Sequence, residues 1–159
     1  DRVHSKDSSE HAAQLKIFTA FLEECKGTDK VLNIHSAGAE EQVSAMLQTY
    51  EMKRVNMHWF DAAEQGKPLK LVPKLVELGY FFSITPGVAT SNNTRELVRM
   101  VPLESLLTET DTHPLVKYNG VPSAPKMVKM TVEEIARVKN RTVEEVENAI
   151  ADNFARLVG

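Results

Sequence analysis

VLNIHSAGAEEQVSAMLQTYEMKRVNMHWF, residues 31–60, decides the fold. It opens on a β-type run, Val31–His35. It passes through a stretch with helical spacing, Glu40–Tyr50, that puts Val43, Met46 and Leu47 on one face. It closes on a second β-type run, Arg54–Phe60. Apolar residues at i, i+3 and i+4 describe a helix with one buried side, and short alternating runs describe strands. Strand, helix and strand in so few residues leave room for a crossover but not for a wide excursion, so the unit is βαβ and its strands run parallel.

The same alternation continues on both sides. Gln14–Cys25 carries Leu15, Phe18, Phe21 and Leu22 at helical spacing, and Gly27 and Asp29 end it. Pro68–Leu78 reads as a helix with Gly79 as its C-terminal cap. Tyr80–Thr85 reads as a strand stopped by Pro86 and Gly87. Thr94–Met100 is a short helix behind the capping segment Ser91–Asn93, and Ser105–Thr108 is a fourth strand. A loop holding Pro114, Pro122 and Pro125 leads to two last helices, Lys126–Lys139 and Val143–Leu157. Thr142 with Glu145 three residues on is a capping box for the second of these. The expected class is α/β, built of parallel βα units. An open doubly wound sheet and part of a (β/α)8 barrel both fit, and both gather functional groups at the carboxyl ends of the strands.

The totals narrow the setting. The chain has 159 residues, of which 42% are hydrophobic, enough for one domain with a real core. The net charge of −3 gives no basic footprint for nucleic acid or a membrane surface. Cys25 is the only cysteine, so no internal disulfide exists, and a reducing, cytoplasmic compartment is the expectation. It ends an amphipathic helix and reads as a small buried hydrophobe. No run is long and apolar enough to span a bilayer.

Three strand ends carry the chemistry. VLNIHSA places His35 at the end of one run, VNMHWF places His58 at the end of the next, and SLLTETDTHP runs a third into Glu109 and Asp111. Two imidazoles and a carboxylate are a ligand set for Zn, Mn, Fe or Ni and, less well, Mg. Three protein ligands leave open positions for water and substrate. Each histidine also has a plainer reading as a packed or satisfied ring, and the residues alone leave the two readings open. Glu109, two residues before Asp111, shares its side of the strand and is either a support behind a ligand or an end-of-strand carboxylate. His113 and Trp59 are weaker candidates for substrate contact. His4 and His11 fall in a polar segment with little helical character and are expected to be solvated.

Taken together, VLNIHSAGAEEQVSAML, VNMHWF, LVELGYFFSIT, VRMVPLESLLTETDTHP and IARVKNRTVEEVENAIADNFARL resemble, in order and spacing, the second half of the TatD family. These are metal-dependent hydrolases on a TIM-type (β/α)8 barrel, many of them deoxyribonucleases. The resemblance implies that His35, His58 and Asp111 are metal ligands. It implies that Asp111 is also the base for a metal-activated water, that the metal is divalent (Mg, Mn or Zn), and that DNA or a small phosphoester is the substrate. It also implies that residues 1–159 are one domain forming the C-terminal portion of the barrel.

The departures are specific. The family's opening H-x-H and its G-E-x-G-L-D are absent, with Asp1 matching the last residue of the latter. Ala37 stands where an arginine is common. H-C-F-S-G reads His58–Trp59–Phe60–Asp61–Ala62, and ETDSP reads ETDTHP with His113 added. A chain lacking the two missing motifs is expected to be inactive alone and to pair with a missing N-terminal half or with a second copy. Two other readings stand beside the hydrolase: a non-catalytic fragment or divergent homologue serving as a binding or assembly module, and an amidohydrolase-like enzyme acting on C–N or C–O bonds.

Overall fold

The computed structural model describes residues 1–3, 5, 7–60, 67–112 and 116–159. His4, His113, Asp61 and Ala62 lie outside them. Helix α1, Ser8–Cys25, leads into β1 (Leu32–His35), α2 (Glu40–Thr49) and β2 (Val55–His58). A 3₁₀ turn at Lys67–Leu71 then runs into α3 (Val72–Glu77), followed by β3 (Phe81–Ile84), α4 (Asn92–Met100) and β4 (Leu106–Thr108). A small hairpin, β5 (Lys117–Tyr118) and β6 (Val121–Pro122), precedes α5 (Val128–Lys139) and α6 (Val143–Val158).

The first four strands form one sheet in the order β1-β2-β3-β4, and every pairing in it is parallel. The βαβ expectation from residues 31–60 therefore holds and extends through the fourth strand. β1 and β4 are the outer strands.

Alternation along the strands sorts the two faces. Ile34, Val55, Met57, Phe82, Ile84 and Leu106 point into the main core, where they meet Val43 and Leu47 of α2, Leu75 of α3, Leu97 and Val98 of α4 and Ile135 of α5. Phe60 stands edge-on to Phe82, ring centroids 5.4 Å apart at 82°. Tyr80 is 1% exposed and gives its hydroxyl to the Met52 carbonyl at 2.9 Å. Burial pushes that phenol up to about 12.

The opposite face is mixed. In the lower layer Asn33 faces Asn56 in register, and Asn56 faces Phe81. Asn56 Nδ2 donates to Asn33 Oδ1 at 2.6 Å and to Ser83 Oγ at 2.9 Å. Phe81 and Leu107 meet Leu157 of α6 there. α6 is fixed at that level by Asn153, whose Nδ2 donates to the Leu103 and Leu106 carbonyls at 2.8 and 2.7 Å. It is fixed again by Arg54, whose Nε donates to the Leu157 carbonyl at 2.8 Å.

Local signals account for the ends of the helices. Gly79, at φ 78°, caps α3, with Tyr80 N donating back to the Leu75 carbonyl at 3.1 Å. Ser91 caps α4 through Thr94 N, and the Thr142–Glu145 capping box is formed on both sides.

Four expectations need correcting. α1 begins at Ser8, because Asp7 caps it through Ser9 N, so His11 is helical and its Nε2 sits 2.5 Å from the Ser5 carbonyl. Phe21 is 64% exposed while Leu22 is fully buried; the packed stripe runs through Phe18, Leu22 and Cys25. The second strand stops at His58 because Trp59 turns to φ 42°. The segment read as plain loop holds the β5–β6 hairpin, closed by Asn119 and Gly120 at φ 53° and 77°. Asn-Gly is the pair that a type I′ turn favours.

Candidate metal centre

Parallel strands share one carboxyl edge, and the strand-end groups sit along it. His35 ends β1 and His58 ends β2, directly opposite one another in register. Their rings are 5.7 Å apart between centroids and tilted by 45°. Glu109 follows β4, and its backbone N–H extends the ladder to the Ile84 carbonyl at 3.0 Å. Asp111 lies just beyond, in a left-handed conformation at φ 42°. A non-glycine residue in that region is uncommon, and such residues cluster where a site requires them. Trp59 and Asp111 both adopt it beyond their strand ends, as Glu51, Asn119 and Asn140 do elsewhere in the chain.

Each histidine is engaged by a carboxylate. His58 Nδ1 is hydrogen-bonded to Glu109 Oε2, and its Nε2 lies 3.9 Å from Asp111 Oδ1. The hydrogen bond to Glu109 holds the imidazole above its ordinary value; partial burial opposes this, and the nearby charges of Glu109 and Asp111 reinforce it. His35 Nε2 lies 2.9 Å from Asp1 Oδ2, a contact spanning 34 positions that no local pattern announces. The acidic turn is braced from the hairpin: the Thr110 carbonyl accepts from Ser123 Oγ at 2.6 Å and from Tyr118 Oη at 3.4 Å.

The edge brings His35, His58, Glu109 and Asp111 together and adds Asp1. Trp59 contributes its backbone N–H, which donates to Glu109 Oε1 at 3.0 Å. Among the described residues, no three His, Cys, Asp or Glu side chains converge closely enough to hold a metal ion as they stand. The donor types nonetheless fit a divalent metal. His58 Nε2 and Asp111 Oδ1 face each other 3.9 Å apart, an imidazole and a carboxylate of the kinds that would hold such an ion. Among the described residues, no helix is long and apolar enough to cross a membrane.

A parallel α/β sheet with imidazoles and carboxylates along its carboxyl edge sets these groups where such sheets bind ligands. The family model described as TatD related DNase matches residues 1–159, and the chain belongs to the TatD family. It is 31% identical to Deoxyribonuclease TATDN3 of Homo sapiens over 91% of this chain and 51% of that protein. It is 30% identical to the Uncharacterized metal-dependent hydrolase MJ1582 of Methanocaldococcus jannaschii, over 90% of this chain and 55% of that one. The fold is similar to the crystal structure of YJJV, a TatD homolog from Escherichia coli, with a TM-score of 0.72 at 23% identity over 86% of this chain and 52% of that one. The chain spans about half the length of the curated relatives it matches.

Proposed function

We propose that this chain is part of a metal-dependent hydrolase that cleaves phosphoester bonds, with DNA or a small phosphoester as substrate. The observation that carries the reading is His58, held from behind by Glu109 and facing Asp111 across 3.9 Å at the carboxyl edge of the sheet. His35, His58 and Asp111 are the residues that would hold a divalent ion, Mg, Mn or Zn. Such an ion supplies charge that polarises the phosphoester and lowers the pKa of water. Asp111, with its side chain 33% exposed, accepts the proton of the attacking water. His35, with its side chain 36% exposed against 15% for His58, is the more open of the two imidazoles.

We read the four βα units as the second half of a TIM-type (β/α)8 barrel, with residues 1–159 as one domain. The all-parallel order and the half-length span of the relatives support this. In that reading β1 and β4 pair along their outer edges with further strands, from more of the same polypeptide or from a second copy. One observation favours the alternative of a binding or assembly module for the chain alone: no three donors converge among the described residues.

The test compares this chain with a polypeptide in which an H-x-H and a G-E-x-G-L segment precede it. Both are stripped of metal, refilled with Mg, Mn or Zn, and assayed on a phosphodiester model substrate and on DNA. Metal-dependent hydrolysis by the longer form, lost in His58→Ala, is expected. Hydrolysis without metal, or hydrolysis unchanged in His58→Ala, overturns the reading.

A further inference from the structure

We infer that Glu109 is the positioning residue of this site, a two-pronged clamp that fixes the tautomer and tilt of His58 so that Nε2 is the nitrogen offered to a divalent ion. The inference rests on the metal-site reading above for its purpose, but its geometry stands without it.

The two carboxylate oxygens have separate tasks. Oε2 takes the hydrogen bond of His58 Nδ1. Oε1 takes the N–H of Trp59 at 3.0 Å, which the turn of Trp59 to φ 42° has carried away from extended backbone. One side chain thus holds both the ring of residue 58 and the backbone that follows it. A ring nitrogen facing an acceptor carries the proton in the neutral imidazole, and the other nitrogen keeps its lone pair. With Nδ1 committed to Glu109, the lone pair is on Nε2, the atom facing Asp111. Carboxylates behind metal-binding imidazoles act in this way, orienting the ring and raising its basicity.

The reach explains why the residue is a glutamate. β2 and β4 are not neighbours; β3 lies between them. Two strand spacings come to about 10 Å, so the side chains of residues 58 and 109 must meet above β3. Ser83, in register with His58 and only 3% exposed, is small enough to leave that space clear. An aspartate at 109 is one methylene shorter and cannot bridge the gap while its backbone stays in the ladder with Ile84.

The test uses the full chain and two readouts: the tautomer of His58, from nitrogen-15 spectra near neutral-to-basic pH without metal, and the affinity for Zn alone, from competition with a chromophoric chelator. Thermal unfolding of each variant checks that it folds. In the wild type His58 is expected as the Nδ1–H tautomer. Glu109→Ala and Glu109→Asp should both give a mixed or reversed tautomer and Zn affinity lower by roughly 10- to 100-fold. Glu109→Gln has one oxygen for two N–H groups, so it must give up one prong of the clamp, and its Zn affinity should fall below wild type but by less than in Glu109→Ala. An unchanged tautomer in folded Glu109→Ala, or Glu109→Asp behaving as wild type, overturns the inference. Should the wild type bind no Zn at all, the metal-site reading fails, while the tautomer result still decides whether Glu109 positions the ring.

Discussion

His35 and His58 stand directly opposite each other on adjacent parallel strands, with their ring centroids 5.7 Å apart. They use different carboxylates: Asp1 for His35 and Glu109 for His58. The pair is therefore approached by two different carboxylates from separate parts of the chain.

Metal affinity and proton acceptance separate at His58 and Asp111. In the proposed site His58→Ala removes one of the residues that would hold the ion, and it should lower affinity for Zn or Mn by more than about 10-fold, lowering turnover with it. Asp111→Asn keeps an oxygen donor but no longer accepts a proton, so turnover should fall further than affinity. Asparagine also tolerates the left-handed backbone at φ 42°, so the substitution does not confuse chemistry with strain. Chelator competition and steady-state hydrolysis, measured side by side on the active form, check the order.

Asn153 is 2% exposed and serves two carbonyls at the start of β4. Asn153→Ala leaves both without that donor. The expected cost is about 2 kcal/mol, a fall in Tm of roughly 4–8 °C for a chain of this size. Urea unfolding with an unchanged m-value would measure it.

Phe82 is fully buried between the helices and the sheet, edge-on to Phe60. Phe82→Ala should cost about 3–5 kcal/mol through lost transfer energy and the cavity left behind. Phe82→Leu should recover more than half of that. Equilibrium unfolding of the two variants tests the ratio.

The capping box makes stability depend on pH in a known direction. The backbone hydrogen bond from Thr142 to Glu145, with their side-chain contact, lowers the Glu145 carboxyl below its ordinary 4.5. A folded-state pKa below the unfolded one contributes stability that is complete above the ordinary carboxylate value and is lost as pH falls through the folded one. The advantage of wild type over Glu145→Gln should therefore be present at neutral pH and shrink in acid. Paired denaturation curves across the acid range check this; an advantage that grows in acid would reverse the sign.

Much of the frame was legible because period and punctuation agree. Apolar runs ending at His35, His58 and Thr108, with Gly79 and Ser91 as stops and starts, are local signals, and they place the strands and helices in chain order, while the order of strands in the sheet needed the structure. What escaped was either non-local or overlooked. Nothing near Asp1 indicates that its carboxylate meets His35, since sheet and helix must both form before the two approach. Phe21 fits the helical stripe by spacing, yet the buried side passes through Leu22, one position on, because Phe18, Leu22 and Cys25 follow the packed face. The hairpin has a local signal, Asn119–Gly120, but prolines on both sides of it are equally at home in a loop. The brace on Thr110, and with it one reason why Asp111 is held where it is, depends on that hairpin.

The bond from Arg54 to the carbonyl of Leu157 joins residues 103 positions apart. During synthesis Arg54 leaves the ribosome long before Leu157 exists, and while α3 to α5 are made its guanidinium has the Asp29 carbonyl, 3.0 Å away in the finished fold, but not the Leu157 one. The lower side of the sheet is consequently the last part to close, and contacts of such long separation slow the approach to the native state. A chain paused before α6 would carry the β1–β4 strands with Phe81 and Leu107 lacking Leu157 and Arg156 above them, an apolar surface that invites premature association.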